Sequence, residues 1–439
     1  MATLVERLKA GTASLCVIGL GYVGLPLAVA FAGKGIPVIG YDVDASRIEA
    51  YQRGEDVTDE VGDDALRASG VVFTSDVSRL REGIFHIVTV PTPIHPDTTP
   101  DMSFVLAATR TIGEQLVPGA YVVYESTVYP GATERECIPV LEQASGMRCG
   151  PDFKVGYSPE RINPADRVHR LENIVKVVSG IDEAAAADID QVYQLIIQAG
   201  TRVVSNIRTA EMVKVVENTQ RDYNIAFMNE VARIAKRMDV DTHEMLDAMN
   251  TKWNALRFEP GLVGGHCIGV DPYYFTYQAE RLGYHSQLIL ESRRINDSMG
   301  RYIAETAIRL LMRMELLPQR SRIAILGVTF KENCIDLRNT RVLDLVQRLQ
   351  EDGVTPMLVD PVANPHEVQR MFGLPLTPME ALRDVDCIIA AVSHDCFRRL
   401  PVEELQAMYS RNHPMLLMDV KAIYPREALL DRGFQLWRL

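Results

Sequence analysis

The stretch LCVIGLGYVGLPLAVAFAGKGIPVIGYDVD, residues 15–44, decides the fold of this chain. It begins with an apolar run that predicts a strand, and the glycines that follow predict a turn. One face of the helix that follows carries Leu25, Ala28, Val29 and Ala32, and a second apolar strand ends at Asp42. This order predicts a strand, helix and strand unit with parallel strands.

The glycines of this unit, Gly19, Gly21 and Gly24, follow the GxGxxG spacing of a dinucleotide-binding turn. Glycine lets the turn close tightly and lets the backbone approach a pyrophosphate, which the positive end of the helix attracts. Asp42, at the end of the next strand, can accept hydrogen bonds from ribose hydroxyls, and its charge disfavours the extra phosphate of NADP. We therefore predict NAD as the cofactor, with a glycine turn that binds nothing as the alternative.

Apolar strands recur at residues 84–90, 121–127 and 154–160, with helical stretches between them. The alternation predicts a parallel doubly wound sheet over about the first 200 residues. A long helix without internal Gly or Pro is predicted from Ala210 to Met238, and helical segments continue to about Arg313.

A second α/β block begins at residues 321–330 and resembles the first. Asp360 takes the place of Asp42 there, and an insertion, KENCIDLRNT (331–340), stands where the phosphate turn would be. The predicted fold class is α/β, with two Rossmann-like doubly wound domains joined by a long central helix and a helical segment. The predicted domain boundaries are 1–205, 206–315 and 316–439.

The composition predicts a globular protein, with 47% hydrophobic residues, 24% charged residues and a formal net charge of -12. Nucleic acids and anionic membranes attract basic surfaces, so neither is an expected partner. Seven cysteines without a CxxC pair favour a reducing compartment, and no signal peptide or long apolar run is evident. We expect a cytoplasmic protein, and the histidine spacings predict no metal site.

Polar residues follow two of the predicted strands, at the sheet edge where ligands gather. Thr92 lies between Pro91 and Pro93 after one strand, and Ser126 and Thr127 close the next. They are candidate cofactor contacts, and ordinary turns are the alternative.

On the long helix, Lys214, Asn218 and Arg221 fall on one polar stripe beside Glu211. The spacing alone leaves open a functional row or a solvated helix face.

Cys267 lies in the segment GGHCIGVDPYY (264–274), among glycines and four residues before Asp271. Such glycines let backbone N–H groups approach a substrate, which favours a nucleophilic thiol over a buried structural cysteine. His266 is adjacent in sequence and gives only weak support for a Cys–His dyad. An NAD site and a thiol together predict oxidation of an alcohol beyond the aldehyde.

With these motifs the chain resembles the UDP-glucose/GDP-mannose dehydrogenase family over nearly its whole length. The resemblance is carried by motifs in the order that the family uses: GLGYVGLPLA, the Pro91–Thr92 turn, ESTVYPG, SPERINPAD, the Lys214 and Asn218 helix, GGHCIGVDPYY and FKENCIDLR. It implies two NAD-dependent oxidations of the C6 hydroxyl of a nucleotide sugar, which give a uronic acid.

The resemblance also implies roles for the candidate residues. Cys267 attacks the C6 aldehyde, Lys214 is the general base or charge stabiliser for the C6 oxygen, and Asn218 is its hydrogen-bonding neighbour. Asp271 orients the thiol or the water, and Thr127 and Glu160 serve the hydrolysis step.

Further ligand contacts follow from the same resemblance. Those to the cofactor come from Gly19, Gly21, Tyr22, Val23, Gly24, Asp42, Arg47, Thr92, Thr127 and Arg338. Those to the UDP-sugar come from Glu160, Arg161, Ile162, Lys214, Asn218, Arg221, Arg257, Gly261, Lys331 and Lys421. Because Arg257 resembles an arginine that reaches across a dimer interface, we expect a homodimer, formed through the central domain. The C-terminal domain is expected to bind the UDP-sugar.

The pattern departs from the UDP-glucose branch at Pro164, where that branch has a second glutamate, and at Val270, where it has a lysine. SPERINPAD and GGHCIGVDPYY are similar instead to the bacterial branch that acts on UDP-N-acetylhexosamines. The expected substrate is UDP-N-acetylglucosamine or UDP-N-acetylgalactosamine, for synthesis of capsule, O-antigen or a related polysaccharide.

Rival interpretations remain from the sequence alone. Within the class, UDP-glucose or UDP-N-acetylmannosamine is the alternative substrate. A nucleotide-binding protein that has lost catalysis is disfavoured because Cys267, Lys214 and Asp271 are all present. A cysteine hydrolase would turn over without NAD.

Overall fold

The computed structural model describes residues 2–161, 170–265, 267–410 and 414–439. The chain divides into two compact units, one made of residues 1–217 and 273–285 and the other of residues 218–272 and 286–439. The first division falls inside one uninterrupted helix, Ile207–Arg237, which covers most of the helix predicted from the sequence.

The first unit is built on a sheet that has eight strands in the described residues. They are β1 Ser14–Ile18, β2 Val38–Tyr41, β3 Val72–Thr74, β4 Gly83–Val88, β5 Tyr121–Tyr124, β6 Lys154–Tyr157, β7 Lys176–Gly180 and β8 Thr201–Val203. Their order is β3-β2-β1-β4-β5-β6-β7-β8, and the pairs from β3 to β6 are all parallel. The predicted Rossmann-like doubly wound fold is confirmed.

Two strands depart from the expected parallel direction. Strand β7 pairs antiparallel with β6, and β8 pairs parallel with β7. Between β6 and β7 the described chain forms only a short 3-10 turn, Leu171–Asn173. A parallel return needs a crossover, usually a helix, whereas an antiparallel return does not.

Helices flank this sheet because their apolar faces need cover. They are α1 Leu4–Lys9, α2 Gly24–Ala32, α3 Ala45–Gln52, α4 Asp63–Ala68, α5 Ser103–Gln115, α6 Ile138–Ser145, α7 Glu183–Tyr193 and the start of α8 Ile207–Arg237. Shorter turns occur at Val77–Glu82 and Thr133–Cys137. The core joins strand residues such as Val17 and Phe85 to helix residues such as Phe31 and Tyr193, all buried. Burial of this kind is the main stabilising contribution.

The second unit holds the rest of α8 and a smaller sheet. Its strands are β9 Ile323–Leu326, β10 Met357–Val359, β11 Cys387–Ala390, β12 Met415–Asp419 and β13 Phe434–Arg438. Their order is β10-β9-β11-β12-β13, and every pairing in the described chain is parallel. The second doubly wound block that the sequence predicts is therefore present.

Nine further helices occur in the described chain after α8. They are α9 Thr242–Asn250, α10 Asp271–Arg281, α11 Gln287–Asp297, α12 Met299–Arg313, α13 Val342–Glu351, α14 Pro365–Phe372, α15 Asp395–Arg398, α16 Val402–Ala407 and α17 Arg426–Asp431. Two 3-10 turns lie at Pro318–Arg320 and Met379–Ala381. Helix α9 begins at Asp241, whose carboxylate accepts hydrogen bonds from the N–H groups of His243 and Glu244.

The two sheets share one turn design. After β1, Gly19 has φ 93° and its N–H donates to the Tyr41 carbonyl at 2.9 Å. Asp42 then accepts the Leu20 N–H at 2.8 Å and the Asp44 N–H at 3.0 Å. A carboxylate at the end of the second strand thus fixes the turn that follows the first strand.

The second block repeats this arrangement after β9. Gly327 has φ 87° and its N–H donates to the Val359 carbonyl at 2.8 Å. Asp360 accepts the Val328 N–H at 2.7 Å and the Val362 N–H at 2.9 Å. The weak sequence repeat therefore corresponds to a repeat of hydrogen bonds.

The partners of the two carboxylates differ. Asp42 pairs with Arg47 at 2.9 Å, and the Arg47 side chain is 34% exposed. Asp360 lies 3.1 Å from the imidazole Nε2 of His394, which is completely buried. The first carboxylate therefore has a partly exposed cation beside it, and the second has a buried imidazole.

No helix among the described residues is long and apolar enough to cross a membrane.

Candidate functional site

The glycine turn of the first unit has the shape that a dinucleotide requires. A Cβ atom on Gly24 would lie 1.9 Å from the Gly19 carbonyl oxygen, so only glycine permits this close approach of helix and strand. A Cβ on Gly21 would meet nothing within 4 Å, so this backbone borders open space. Helix α2 begins after this turn without a side-chain cap, so its N-terminal backbone is a candidate site for a pyrophosphate.

Around this turn lie the other predicted cofactor contacts of the first unit. Tyr22 and Val23 are half-buried between Gly21 and Gly24. Thr89, which sequence reasoning did not single out, donates its hydroxyl to the Gly19 carbonyl at 2.6 Å and so braces the turn.

Three predicted residues follow the carboxyl ends of β4 and β5. Thr92 and Thr127 are half-buried. The Ser126 hydroxyl donates to the Val90 carbonyl at 2.7 Å, which ties the two strand ends together. Ser126 thus has a structural bond, while the threonines remain candidate ligand contacts.

Glu160 follows β6 and is tied to two lysines. Its backbone carbonyl accepts a hydrogen bond from the Lys214 ammonium at 2.8 Å. Its carboxylate pairs with Lys176 of β7 at 3.1 Å. Glu160 is 6% exposed and Lys214 is 7% exposed, so both bonds are shielded from water.

The neighbours of Glu160 include a second ion pair. Arg161 pairs with Glu217 of α8 at 2.8 Å. The predicted substrate contact Ile162, and Pro164 of the same motif, lie outside the described residues.

The polar stripe on α8 is not a solvated face. Glu211, Lys214 and Asn218 are all buried. Glu211 accepts the N–H groups of Gly131 and Thr133, and burial raises the pKa of its carboxyl to about 7. The row seen in the sequence consists of buried polar groups with specific partners, as at functional sites and in buried networks.

In the second unit, Cys267 immediately precedes the first turn of α10. Its backbone carbonyl accepts the N–H groups of Val270 at 3.0 Å and of Asp271 at 2.8 Å. Cys267 is half-buried, and Asp271 is 1% exposed. A hydrogen-bonded backbone turn therefore links Cys267 to the buried Asp271.

Asp271 is anchored by the row on α8. Its carboxylate accepts a hydrogen bond from the Asn218 side chain, which is 2% exposed. The Asn218 oxygen accepts in turn from the Arg221 guanidinium. The structure thus brings together three predicted site residues, and their chain of bonds fixes the acid that follows Cys267.

The glycines beside Cys267 have a packing reason. A Cβ on Gly264 would lie 2.6 Å from the Asn339 carbonyl, and one on Gly265 would lie 2.9 Å from the Phe330 ring. The Asn339 side chain also donates to the Gly265 carbonyl at 3.2 Å. The insertion of residues 331–340 therefore packs directly on the cysteine loop.

The remaining predicted ligand contacts lie elsewhere in the second unit. Lys421 donates to the Pro260 carbonyl at 3.2 Å, next to Gly261, whose N–H and carbonyl both bond Asn229. Lys331 lies 5.6 Å from the Phe330 ring centroid. These contacts bring Lys421 and Gly261 together.

Two predicted arginines are exposed. Arg338 pairs with Asp336 at 2.6 Å within the insertion. Arg257 has a φ of 57° and lies in the loop before the cysteine segment.

The sequence analysis missed two buried charged residues, Glu125 and Lys176. They pair at 2.9 Å, and their side chains are 0% and 3% exposed. A lysine within an apolar strand, here KVVSG, was the available signal, because buried lysines are rare unless paired.

Comparison with known proteins agrees with this architecture. Three domain profiles of the UDP-glucose/GDP-mannose dehydrogenase family match in order: the NAD binding domain at residues 13–197, the central domain at 208–298 and the UDP binding domain at 324–426. The chain belongs to this family and is an NAD-dependent nucleotide-sugar dehydrogenase.

Particular relatives are similar over nearly their whole length. A UDP-N-acetyl-D-glucosamine 6-dehydrogenase from Salmonella typhi is 47% identical, with 94% of this chain and 97% of that protein covered. Protein CapL from Staphylococcus aureus is 46% identical, with 97% and 99% covered. A solved structure of a UDP-D-ManNAc dehydrogenase from Pyrococcus horikoshii matches with TM-score 0.87 and 30% identity, over 97% of this chain and 98% of that one.

Proposed function

We propose that this protein oxidises the C6 hydroxyl of a UDP-N-acetylhexosamine twice and releases the uronic acid, with UDP-N-acetyl-D-glucosamine as the first candidate substrate. The observation that carries the proposal is the buried Asn218–Asp271 pair, which fixes the start of α10 four residues after Cys267. The 47% identity to the Salmonella typhi enzyme supports the choice of sugar.

The Gly19 to Gly24 turn would hold NAD, which would supply the hydride acceptor for C6 in both oxidations. In the first, Lys214 stabilises the C6 oxygen or takes its proton, and the product is the aldehyde. The Cys267 thiolate then adds to the aldehyde carbon and forms a thiohemiacetal. Loss of the second hydride converts this adduct to a thioester.

Hydrolysis completes the reaction. Water attacks the thioester carbon, the carbon–sulfur bond breaks, and the Cys267 sulfur leaves with the proton that restores the thiol. We assign Glu160 and Thr127 to this water and Asp271 to the orientation of the thiol. Support comes from the anchoring of Glu160 by Lys176 and Lys214.

The UDP-sugar contacts are proposed residue by residue, from the resemblance to the family. Lys331 and Lys421 are assigned to the diphosphate, for which they supply positive charge. Gly261, which follows the Pro260 carbonyl that Lys421 binds, and Arg221 are assigned to the UDP-sugar as well. Arg161 and Ile162 are assigned to the sugar by the same resemblance. Arg47 is assigned to the dinucleotide ribose beside Asp42, and Arg338 to the cofactor.

A homodimer is part of the proposal. Tyr223, Phe227 and Ile234 of α8 are 37%, 49% and 49% exposed. Their spacing of four and seven residues puts them on one helix face. An apolar stripe of this kind is typical of an interface, and Arg257 is proposed to reach the partner's substrate.

The proposed product is a building block for a bacterial surface polysaccharide, which the similarity to Protein CapL supports. All seven cysteines lie in the described chain and none forms a disulfide, in keeping with a proposed cytoplasmic location.

Product stoichiometry tests this function. With UDP-N-acetyl-D-glucosamine the purified protein should release two NADH per sugar acid, with no free aldehyde accumulating. UDP-N-acetylgalactosamine, UDP-N-acetylmannosamine and UDP-glucose complete the panel, and a preference for UDP-glucose would overturn the N-acetylhexosamine assignment.

Cys267→Ala is the matched control, because it should bind NAD normally and form no acid. One NADH per turnover in the wild type, or acid formation at the wild-type rate by the alanine variant, would remove the thiol from the mechanism. Sugar turnover without NAD would indicate a hydrolase instead.

A further inference from the structure

A buried chain of charged and polar groups runs through the first unit and ends at Glu160. The Tyr193 hydroxyl of α7 donates to the Glu125 carboxylate after β5. Lys176 of β7 pairs with Glu125 at 2.9 Å and with Glu160 at 3.1 Å. None of the four residues is more than 6% exposed.

Lys176 is the central group of this chain, because its ammonium lies between two carboxylates. Its third bond goes to the Pro159 carbonyl at 3.5 Å, one residue before Glu160. The ring of Tyr193 lies 4.9 Å from the same ammonium. A buried lysine with this set of partners has almost no freedom to turn elsewhere.

The two carboxyls are not equivalent. Burial raises the pKa of Glu125 to about 7, against the opposing charge of Lys176. Burial also opposes ionisation of Glu160, but there the Lys176 ammonium and the bond from the Arg161 N–H outweigh it and hold its pKa below the usual range. Of the two carboxyls, Glu160 is therefore the more readily ionised.

The groups that face Glu160 come from four parts of the first unit. They are Lys176 from β7, Lys214 from α8, Arg161 with its partner Glu217 from α8, and Glu125 after β5 with Tyr193 from α7 behind it. Lys214 binds the backbone carbonyl of Glu160, and Lys176 binds its carboxylate, so the two lysines act on different atoms.

We propose that Lys176 is a positioning residue for the reaction: its ammonium group fixes the Glu160 carboxylate in the orientation and charge state that the attacking water requires. This inference rests on the proposed function, in which Glu160 serves the hydrolysis of the Cys267 thioester. Glu125 and Tyr193 hold Lys176 in place and do not contact the substrate.

The test compares two substitutions with opposite electrostatic effects. Lys176→Met removes the cation and leaves Glu160 beside another carboxyl, so the acid limb of the pH profile for uronate formation should move up by about one pH unit. Glu125→Gln removes the competing carboxyl and keeps the Lys176–Glu160 pair, so its acid limb should stay or move down. Lys176→Arg keeps the charge and should restore most of the rate.

The reaction step that slows distinguishes a positioning role of Lys176 from a general loss of structure. In Lys176→Met the first NADH should form at a near-normal rate, hydrolysis should slow by at least about tenfold at pH 7, and the thioester on Cys267 should accumulate in mass spectra. Equal slowing of both oxidations and hydrolysis, or acid limbs that move in the same direction in the two variants, would overturn the proposal.

Loss of a buried cation can prevent folding, because it leaves its partners uncompensated. If Lys176→Met does not fold, the double variant Lys176→Met/Glu125→Gln is used in its place, because it removes one cation and one carboxyl together. It should fold, retain the first oxidation and show an upward shift of the acid limb that is smaller than in Lys176→Met alone, because the second carboxyl is also gone; an unshifted limb would contradict the role of Lys176.

Failure of this inference is distinguishable from failure of the proposed function. If the wild type gives fewer than two NADH per sugar or makes no acid, the proposed function fails before any variant is compared. If the wild type gives two and the Lys176 variants show no shift and no accumulated thioester, only the role of Lys176 fails.

Discussion

His86 lies in β4, in the middle of the first sheet, and its side chain is completely buried. Burial lowers the pKa of this imidazole to about 4. The unfolded chain, with an ordinary pKa near 6.5, binds a proton there at higher pH than the folded chain does. Stability is therefore complete above about pH 6.5 and falls as the pH drops toward 4.

His86→Leu should remove this acid sensitivity, because leucine fills a similar volume without a titratable group. Between pH 7 and pH 5 the wild type should lose roughly 2 kcal/mol more unfolding free energy than the variant does. Urea unfolding of both proteins at the two pH values measures the difference. Equal losses would mean that His86 is not neutral in the folded protein.

Single residues also show where sequence reasoning succeeds and where it stops. The spacing from Cys267 to Asp271 indicated one functional turn, and the structure gives that turn two backbone hydrogen bonds. Lys176 carried no motif, and its proposed role depends on its ion pairs with Glu125 and Glu160, which follow other strands. Contacts between residues that are distant in sequence depend on the order of the strands in the sheet. A single sequence does not give that order directly, so these contacts could not be predicted from it.

At the scale of elements, two glycines of the turn between β1 and α2 allow helix–strand packing and NAD binding to be tested separately. Gly24→Ala would put a Cβ atom against the Gly19 carbonyl, so the turn must distort and stability should fall by roughly 1–3 kcal/mol. Gly21→Ala adds its Cβ to open space, so it should fold normally and bind NAD more weakly. Thermal unfolding and NAD titration of both variants test this pair.

The comparison has a clear negative outcome. If Gly21→Ala binds NAD as tightly as the wild type, the pyrophosphate does not approach this backbone, and the fingerprint has been misinterpreted. If Gly24→Ala is as stable as the wild type, the helix can move away from the strand at little cost.

Helix α8 offers a test of the proposed dimer. Phe227→Glu places a charge in the exposed apolar stripe and should convert the dimer to monomers at micromolar concentration, as light scattering after size exclusion would show. Leu282→Glu serves as the control. Leu282 directly follows α10, outside the apolar stripe of α8, and its side chain is 69% exposed. A wild-type monomer, or dissociation by both substitutions, would contradict this interface.

Elements were predicted well by type and less well by direction. Periodicity and glycine turns indicated β1, α2, β2 and the length of α8, because those signals are local. The reversal of β7 and β8 was missed, since an apolar strand has the same pattern in either direction.

At the scale of the whole molecule, a duplicated fold does not imply duplicated cofactor binding. Asp360 is bonded to the buried His394, and Asn333 of the insertion donates its N–H to the same imidazole at 2.9 Å. The Asp360 side chain is 0% exposed, whereas the Asp42 side chain, which also accepts the Leu20 and Asp44 N–H groups, is 6% exposed beside the partly exposed Arg47. The UDP binding domain profile covers this second block.

Calorimetric titration should therefore give one NAD per chain, and Gly21→Ala should weaken that single binding event. Two equivalents per chain would show that the second turn also accepts a dinucleotide. UDP should bind in addition to NAD and should not displace it.

The carboxylate bonds that shape the first turn have a consequence for turnover. Asp42 holds the Leu20 and Asp44 amides through bonds internal to the chain, and Thr89 braces Gly19 from the neighbouring strand. The turn is thus held in shape by the protein's own bonds, so in the proposed function a spent dinucleotide would leave and a fresh one would enter without local refolding. The proposed cycle, in which the sugar stays attached to Cys267 while the oxidant is replaced, depends on such an exchange.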